Sequence, residues 1–472
     1  MSIRTNFIYN SILTLSNYII SLILFPYISR VLGVDNIGAV SFVDNTINYF
    51  ALFTVLGINT IGVREIAACG NDPIKRSKVF SELLSIIVIL IFIVSCIYFI
   101  SIFTIPGLVK YKSLFLIGYS KLLCLSLLVE WLFRGLENFK YITIRNVFVR
   151  VLYIISVFIF VKKKDDVNIY YILTCTTVIV NCIINLVYSR HFVKITFQKY
   201  NPIKYLKPMF TLGSYSILTS MYTTFNIIYL GFVASETEVG YYSTAIKIYV
   251  IIIGFFGTFT SVMMPRMSAL ISKGDKNSFN QLINKSLNIM YSICIPLSIG
   301  GFCLAPQLIF LLSGKGYEGA IIPMQIIMPL IIIVGTAQVL AIQVLVPLRK
   351  DKVILKASII GAIVGVVLNI IFVKYYKAIG TSIVLLISEI SVTSYYLITS
   401  YRTSILTKPM KFFLKELVYS IPYLIICILS IKFINNPGIC CCVSLGLSLL
   451  YFSLIHKDII FVILNKKVNN ER

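Results

Sequence analysis

Charged residues, histidine and tryptophan are scarce in this chain. Only 13% of its residues are Asp, Glu, Lys or Arg, and it contains two histidines and one tryptophan. A water-soluble globule needs a larger share of charged residues on its surface, so the composition excludes a soluble fold. The 11 cysteines form no paired CxxC spacing, and with so few histidines they argue against a zinc site, a haem site or a disulfide framework.

Motifs for catalysis are missing as well. The chain has no GxxxxGK(S/T) phosphate loop, no GxSxG nucleophile motif and no HExxH zinc motif. We therefore expect neither ATP hydrolysis by this chain nor catalysis on a soluble substrate. The sequence predicts a protein that is not an enzyme and that binds no cofactor.

Long apolar runs dominate what is present. Apolar residues make up 58% of the chain, and its mean hydropathy is +0.91. A helix crosses a bilayer with about twenty mostly apolar residues, whereas isolated strands cannot span it. The runs predict an all-α, polytopic membrane protein with about fourteen transmembrane helices, at residues 7–32, 38–61, 79–103, 113–133, 146–161, 167–189, 209–234, 240–264, 286–312, 321–347, 354–373, 379–399, 415–434 and 439–455.

Basic residues outnumber acidic residues by 42 to 18, and most of them collect in every second gap between the apolar runs. Short loops rich in Lys and Arg stay in the cytoplasm, so this alternation predicts that both termini are cytoplasmic. The cations are spread over many loops rather than gathered in one patch. We therefore assign them to topology and to anionic lipid headgroups, and not to a nucleic acid.

An internal repeat emerges when each residue is compared with the residue 202 positions later. Gly38 then falls on Gly240, and Arg64 falls on Arg266. Six predicted spans separate the copies, so both have the same orientation and a pseudo-twofold axis along the membrane normal is expected. The predicted domains are an N-terminal six-helix lobe at 1–203, a C-terminal six-helix lobe at 204–400, and two further helices with a cytoplasmic tail at 401–472.

Ionisable side chains inside predicted spans mark candidate functional positions, because each costs roughly 2.5–3.5 kcal/mol to insert. Asp44 lies near the outer end of the second span, on one helical face with Ser41 and Asn48. Lys247 lies at a similar depth in the second copy of the repeat. Two interpretations remain open for these charges: a structural salt bridge between the lobes, and a substrate or ion site.

Other polar positions within spans also leave two interpretations open. Lys121 is either a cavity cation or a snorkelling side chain, and Arg30 is either an interfacial anchor or a ligand for an anionic headgroup. Glu389 has no cation in its own predicted helix, which leaves a protonation switch as one interpretation. Asn226 shares a polar face with Thr223, and that face either joins helices or lines a cavity.

The cytoplasmic ends of predicted spans four and five carry opposite charges. We expect Glu130 and Arg150 to neutralise one another, with Arg134 as a competing partner. Trp131 lies beside the same membrane edge and is expected to be an interfacial anchor.

Several stretches resemble one family of membrane transporters. The longest begins FPYISRVLGVDNIGAVSFVDNTINYF and continues through LGINTIGVREIA, ending at Ala67. Further matches are EWLFRGLENFKYITIRN, LGSYSILTSMYTTFNIIYLGFVASETEVGYYSTAIKI, GYEGAIIPMQIIMPLIII and QVLVPLRKDK. Together they resemble the Wzx-type O-antigen and polysaccharide flippases of the multidrug/oligosaccharidyl-lipid/polysaccharide exporter superfamily.

This resemblance implies two six-helix lobes in a bacterial inner membrane. It also implies a substrate, an O-antigen repeat unit linked to undecaprenyl pyrophosphate, which moves from the cytoplasmic to the periplasmic leaflet by alternating access. Coupling to H⁺ or Na⁺ is expected, and the O-antigen polymerase and chain-length regulator are candidate partners. A drug or cation antiporter of the same superfamily is the alternative, and a membrane-embedded polysaccharide polymerase is less favoured because the outward loops are short.

The resemblance also implies roles for individual residues. The expected pyrophosphate ligands are Arg30, Lys121, Arg150 and Lys247. The expected sugar contacts are Tyr222, Asn226 and Tyr249. The expected ion-coupling carboxylates are Asp44, Glu130 and Glu389.

Overall fold

The computed structural model describes residues 3–196, 200–402 and 409–457. Within these ranges all regular secondary structure is helical. The α-helices are α1 (Ile3–Val55), α2 (Ile58–Ala68), α3 (Pro73–Thr104), α4 (Pro106–Val109), α5 (Lys112–Ser126), α6 (Glu130–Gly135), α7 (Phe139–Phe160), α8 (Val167–Ser189), α9 (Leu206–Ser220), α10 (Thr224–Val233), α11 (Glu236–Ser272), α12 (Lys276–Cys303), α13 (Ala305–Ser313), α14 (Ile321–Ile327), α15 (Leu330–Gln338), α16 (Asp351–Leu368), α17 (Lys374–Arg402), α18 (Pro409–Tyr419), α19 (Ile421–Phe433) and α20 (Pro437–Ile455). Two π-helical segments, Val339–Leu345 and Asn369–Val373, continue α15 and join α16 to α17.

The described helices confirm an all-α, polytopic membrane protein. Eleven of them are long and apolar enough to cross a membrane, or twelve if the bent pair Pro202–Ser220 and Thr224–Val233 is one span. Two of these segments, Ile12–Val55 with 44 residues and Asp351–Arg402 with 52, are much longer than one crossing needs. The predicted count of fourteen stays a prediction.

Residues with positive φ interrupt three of the long helical segments. Gly33 (φ 78°) breaks α1 between the first two predicted spans, and Lys377 (φ 48°) breaks α17 between predicted spans eleven and twelve. Val129 (φ 42°) separates α5 from α6 within predicted span four. The left-handed region strains any residue with a Cβ, so Lys377 and Val129 hold it only because the surrounding packing fixes these bends.

Aspartate caps begin two of the long helices, α3 and α12. The Asp72 side chain accepts hydrogen bonds from the backbone N–H groups of Ile74 and Lys75, and Asp275 accepts one from the N–H of Ser278. Such caps satisfy amide donors that have no partner within the helix. The bond from Lys75 holds the pKa of Asp72 below its usual range, and the bonds from Ser278 do the same for Asp275.

The described residues form two compact units. The first contains Met1–Ser243 with Gly365–Lys377, and the second contains Thr244–Val364 with Ala378–Arg472. The first unit therefore includes helices from both predicted lobes, because α9 and α10 pack against α1 and the π segment after α16 packs against α10. The lobe boundaries at 203 and 400, taken from the repeat, stay a prediction.

Trp131 lies in the core of the first unit and not at an interface. Its side chain is only 2% exposed, and its ring packs against Phe80 with 5.6 Å between centroids. A Cβ placed on Gly62 would lie 2.5 Å from Cε3 of the Trp131 ring, so α2 approaches the indole closely. The prediction of an interfacial anchor is wrong, because the bend at Val129 starts α6 and turns Trp131 inward.

Candidate functional site

A polar cavity of about 710 Å³ lies within the first unit. Its walls are the second half of α1 together with α2, α6 and α9. It lies toward the predicted cytoplasmic end of these helices. Its polar lining residues are Asn48, Asn59, Thr60, Ser126, Glu130, Arg134 and Ser216. We call this space the polar cavity.

Above the polar cavity, one turn along α1 and α5, lies a buried ion pair. The Lys121 ammonium donates to Asp44 Oδ1, and the amide of Asn48 donates to Asp44 Oδ2 at 3.2 Å. Tyr171 on α8 also donates to Oδ1, at 3.5 Å. The Lys121 side chain is 8% exposed and that of Asp44 25%. Lys121 is therefore the partner of Asp44, and Asn48 links this pair to the polar cavity.

Two arginines share one glutamate at the lower rim of the polar cavity. Arg134 donates to Glu130 Oε1 at 2.7 Å, and Arg145 donates to Oε2 at 3.1 Å. Arg134 is 47% exposed and lines the cavity, whereas Arg145 is 3% exposed. Because one carboxylate faces two guanidinium groups, this cluster at the rim carries a net positive charge that suits an anionic ligand, with Arg134 at the cavity and Arg145 buried behind the carboxylate.

The expected pairing of Glu130 with Arg150 is wrong. Glu130 begins α6, and the turn that follows brings Arg145, near the start of α7, to the carboxylate. Arg150 lies more than one turn further along α7 and is half-buried there. Asn185 on α8 holds Arg145 in place, because its Oδ1 accepts a hydrogen bond from the Arg145 guanidinium. The same oxygen accepts a second hydrogen bond, at 3.0 Å, from the Tyr141 hydroxyl.

Asn226 connects helices within the first unit. Its amide donates to the Tyr222 carbonyl at 2.7 Å, and its Oδ1 accepts from Asn369 in the π-helical segment at 2.7 Å. Asn226 is fully buried and Tyr222 is 4% exposed. These contacts join helices, which was one of the two interpretations, and a sugar contact by either residue stays a prediction.

The remaining expected site residues lie in different surroundings. Arg30 is exposed on α1 and donates to the Pro26 carbonyl at 3.1 Å. The second unit contains Lys247, half-buried on α11, together with Tyr249 and Glu389, which are both 8% exposed. Their roles stay predictions.

Sequence reasoning missed five polar residues that line the polar cavity: Asn59, Thr60, Ser126, Arg134 as a ligand, and Ser216. Asn59 and Thr60 end a predicted span, and Arg134 was interpreted only as a topology cation or a competing partner. A polar doublet at the end of an apolar run was the available signal, but such doublets also occur at ordinary helix ends.

A second, almost wholly apolar cavity of about 380 Å³ lies within the second unit. We call it the apolar cavity. Helices α11, α12, α19 and α20 line it, with Pro296, Gly300, Cys427 and Leu445 among the lining residues. Among the described residues, no three His, Cys, Asp or Glu side chains are grouped as metal ligands would be.

Comparison with known proteins agrees with this architecture. The chain is 29% identical over 408 residues to a protein of Escherichia coli (strain K12) named "Putative O-antigen transporter", covering 84% of this chain and 95% of that protein. The fold of this chain is similar to that of the lipid II flippase MurJ in an inward closed conformation. The TM-score is 0.77 at 17% identity, and the match covers 96% of this chain and 99% of that chain.

An inward-facing multidrug resistance MATE family transporter of the MOP superfamily is also similar in fold. Its TM-score is 0.66 at 17% identity, with coverage of 82% of this chain and 94% of that chain. The family resemblance found in the sequence is confirmed, since residues 3–271, more than half of the chain, match the polysaccharide biosynthesis protein family. The chain therefore belongs to the polysaccharide biosynthesis protein family.

Proposed function

We propose that the chain is a flippase for a glycan linked to undecaprenyl pyrophosphate. It moves this lipid from the cytoplasmic to the periplasmic leaflet of a bacterial inner membrane by alternating access. The observation that carries the proposal is the net positive rim of the polar cavity. Membership of the polysaccharide biosynthesis protein family, and a relative named as an O-antigen transporter, support the same substrate class.

The headgroup of such a lipid has two chemical parts, and the polar cavity has groups suited to each. A diphosphate binds guanidinium groups through charge-assisted hydrogen bonds, which Arg134 can supply. Sugar hydroxyls need uncharged donors and acceptors, which Asn59, Thr60 and Ser216 offer. The cations Arg30, Lys121, Arg150 and Lys247 are further candidates for the diphosphate, and Tyr222, Asn226 and Tyr249 for the sugars.

The polyprenyl chain needs hydrocarbon surroundings throughout. The apolar cavity of the second unit offers such surroundings to part of the chain, because its lining residues carry no charge. A hydrocarbon chain that enters this cavity from the bilayer gains close packing rather than release from water, because the bilayer interior is already apolar.

Coupling to H⁺ or Na⁺ is part of this proposal. Asp44, Glu130 and Glu389 are the carboxylates within the spans that could bind an ion. Asp44 and Glu130 already have basic partners. Glu389 is therefore the favoured coupling residue among the three.

Replacement of Arg134 tests the proposed function. Arg134→Gln removes a cation from the polar cavity but leaves Glu130 paired with Arg145, so insertion and folding should persist. A charge-assisted hydrogen bond contributes about 1.5–3 kcal/mol, and about 1.4 kcal/mol is a factor of ten. We expect flipping of fluorescent undecaprenyl-pyrophosphate-linked oligosaccharide in proteoliposomes to slow by about tenfold or more.

Arg64→Gln is the matched control, because Arg64 is 63% exposed at the same predicted membrane face and pairs with the neighbouring Glu65. It should leave the rate unchanged. Equal rates for Arg134→Gln and the wild type would remove Arg134 from the site.

The alternative is a drug or cation antiporter, which the similar fold of a MATE transporter favours. A cationic substrate needs an excess of carboxylates in its cavity, whereas the rim here has two arginines for one glutamate. Efflux of a lipophilic cation such as ethidium, together with no flipping of the pyrophosphate lipid, would favour this alternative.

A further inference from the structure

Polar contacts join four separate turns at the cation-poor end of the first unit, which is the predicted outer end. The side chains involved are Asp35, Lys110, Glu236, Thr237, Glu238 and Lys377, which we call the end cluster. Lys110 forms an ion pair with Glu236, and Lys377 forms one with Glu238 at 3.8 Å. The Thr237 hydroxyl donates to Asp35 Oδ1 at 2.7 Å.

Beside the end cluster, the backbones of α1 and α11 touch. A Cβ on Gly38 would lie 2.7 Å from the Glu236 carbonyl carbon and 2.9 Å from the Gly240 nitrogen. A Cβ on Gly240 would lie 2.6 Å from Val34 Cγ2 and closer still to the Val34 carbonyl oxygen. Only glycine at both positions permits this approach, because the obstacle is backbone and cannot rotate away.

The contacting residues are repeat partners. Asp35 and Thr237 are separated by 202 residues, which is also the offset of the repeat. Gly38 and Gly240 have the same separation. Two copies related by a twofold axis bring equivalent residues together only close to that axis. The end cluster and the glycine pair therefore lie where the two copies of the repeat meet.

We propose that the end cluster is a gate, closed in this structure, which separates when the protein opens toward the predicted outer side. This inference rests on the proposed function and assigns residues to one step of its cycle. The ion pairs suit a contact that must break repeatedly, since Lys110 and Lys377 are 60% and 56% exposed. Exposed pairs contribute only about 0.2–1 kcal/mol each.

The glycine pair provides the first test. Gly38→Ala places a methyl group against the backbone of α11, so the closed arrangement becomes unfavourable. Spin labels at the exposed positions 163 and 374, on a background with the exposed Cys96 and Cys442 replaced by serine, report the separation of two turns at this end. We expect the label distance distribution in lipid vesicles to shift to longer distances by several ångströms.

Gly446→Ala is the control, because a Cβ there meets no heavy atom within 4 Å. Its distance distribution should match that of the unchanged background. If Gly38→Ala leaves the distribution as it is, the gate is overturned.

A cross-link provides the second test. In the double variant Asp35→Cys, Thr237→Cys, a short bifunctional thiol reagent should join the two positions and abolish flipping of the fluorescent pyrophosphate lipid. Each variant that carries only one of the two new cysteines, with Cys96 and Cys442 again replaced by serine, should keep its rate with the same reagent. A failure to cross-link, or a cross-linked protein that still flips at full rate, contradicts the gate. If no flipping is seen before cross-linking, the result contradicts the proposed function instead. The spin-label distances then remain as the test of the gate.

Discussion

Charged side chains in the polar interior of the first unit lie beside partners of opposite sign. The ratio of positive to negative side chains differs above and below the polar cavity. Asp44 and Lys121 neutralise one another above the polar cavity, whereas two arginines face Glu130 below it. A buried ion pair contributes little net stability, since its formation must offset the loss of hydration of both charges. We therefore predict that Asp44 and Lys121 have a role beyond folding, which variants of both residues can test.

A double-variant experiment separates a structural role of Asp44 and Lys121 from a role in flipping. Asp44→Asn or Lys121→Met alone leaves one buried charge without its partner and should lower the free energy of unfolding by about 3–5 kcal/mol. The double variant removes both charges and should recover most of the wild-type melting temperature. We expect it to flip more slowly than the wild type, because Lys121, one of the candidate cations for the pyrophosphate, is gone.

Thermal unfolding in detergent and the proteoliposome assay measure the two effects on the same preparations. Recovery of both stability and flipping in the double variant would mean that Asp44 and Lys121 serve packing alone.

At the scale of helices, breaks in long helices position the candidate site. The bend at Val129 ends α5 and starts α6, which places Glu130 and Arg134 on the rim of the polar cavity and Trp131 in the core. The core around Trp131 contains Phe80, Leu83 and Phe133, all nearly inaccessible to solvent. This packing holds α6 against α2 and α3 and so fixes the rim.

Truncation of the indole should destabilise this group of helices. Trp131→Ala leaves a large cavity among α2, α3 and α6, and such changes cost about 3–5 kcal/mol. We expect a clear fall in melting temperature together with slower flipping. Trp131→Phe is the conservative comparison, because it keeps a ring against Phe80 and removes an indole N–H that has no hydrogen-bond partner in the described residues. An interfacial anchor would instead tolerate alanine with little loss of melting temperature.

At the scale of the whole molecule, each of the two compact units contains a cavity with its own chemical character. The first unit contains a polar cavity with a net positive rim, and the second contains an apolar cavity. An amphiphilic substrate requires water for its glycan and diphosphate and hydrocarbon for its polyprenyl chain. A transporter of small soluble cations requires no apolar cavity of this kind.

Filling the apolar cavity tests its occupant. A Cβ on Gly300 meets no heavy atom within 4 Å, so the side chain in Gly300→Phe starts in open space and takes up part of the cavity that Gly300 lines. We expect flipping of a substrate with an undecaprenyl chain to fall severalfold, while a substrate with a short isoprenyl chain is affected less. Gly446→Phe offers equal open space outside the cavity and should change neither rate. Equal losses for long and short chains would assign the apolar cavity to packing alone.

The sequence by itself determined the class of the molecule. Apolar runs of about twenty residues admit only helices in a bilayer, so the polytopic all-α fold followed from composition and spacing. Local signals also located the main breaks, because the short polar gap that starts at Gly33 and the one around Lys377 interrupt apolar runs. The flippase family was recognisable from contiguous stretches of sequence.

Only the tertiary structure decided which charges are partners. Lys121 meets Asp44 across 77 residues of sequence, and Arg145 replaces Arg150 as the partner of Glu130. Within one helix the spacing of residues fixes which side chains are neighbours, but between helices the rotation of each helix and the position of its bends decide this. The bend at Val129 turned Trp131 into the core for that reason, and the meeting of Gly38 with its repeat partner Gly240 likewise depends on how two distant helices pack.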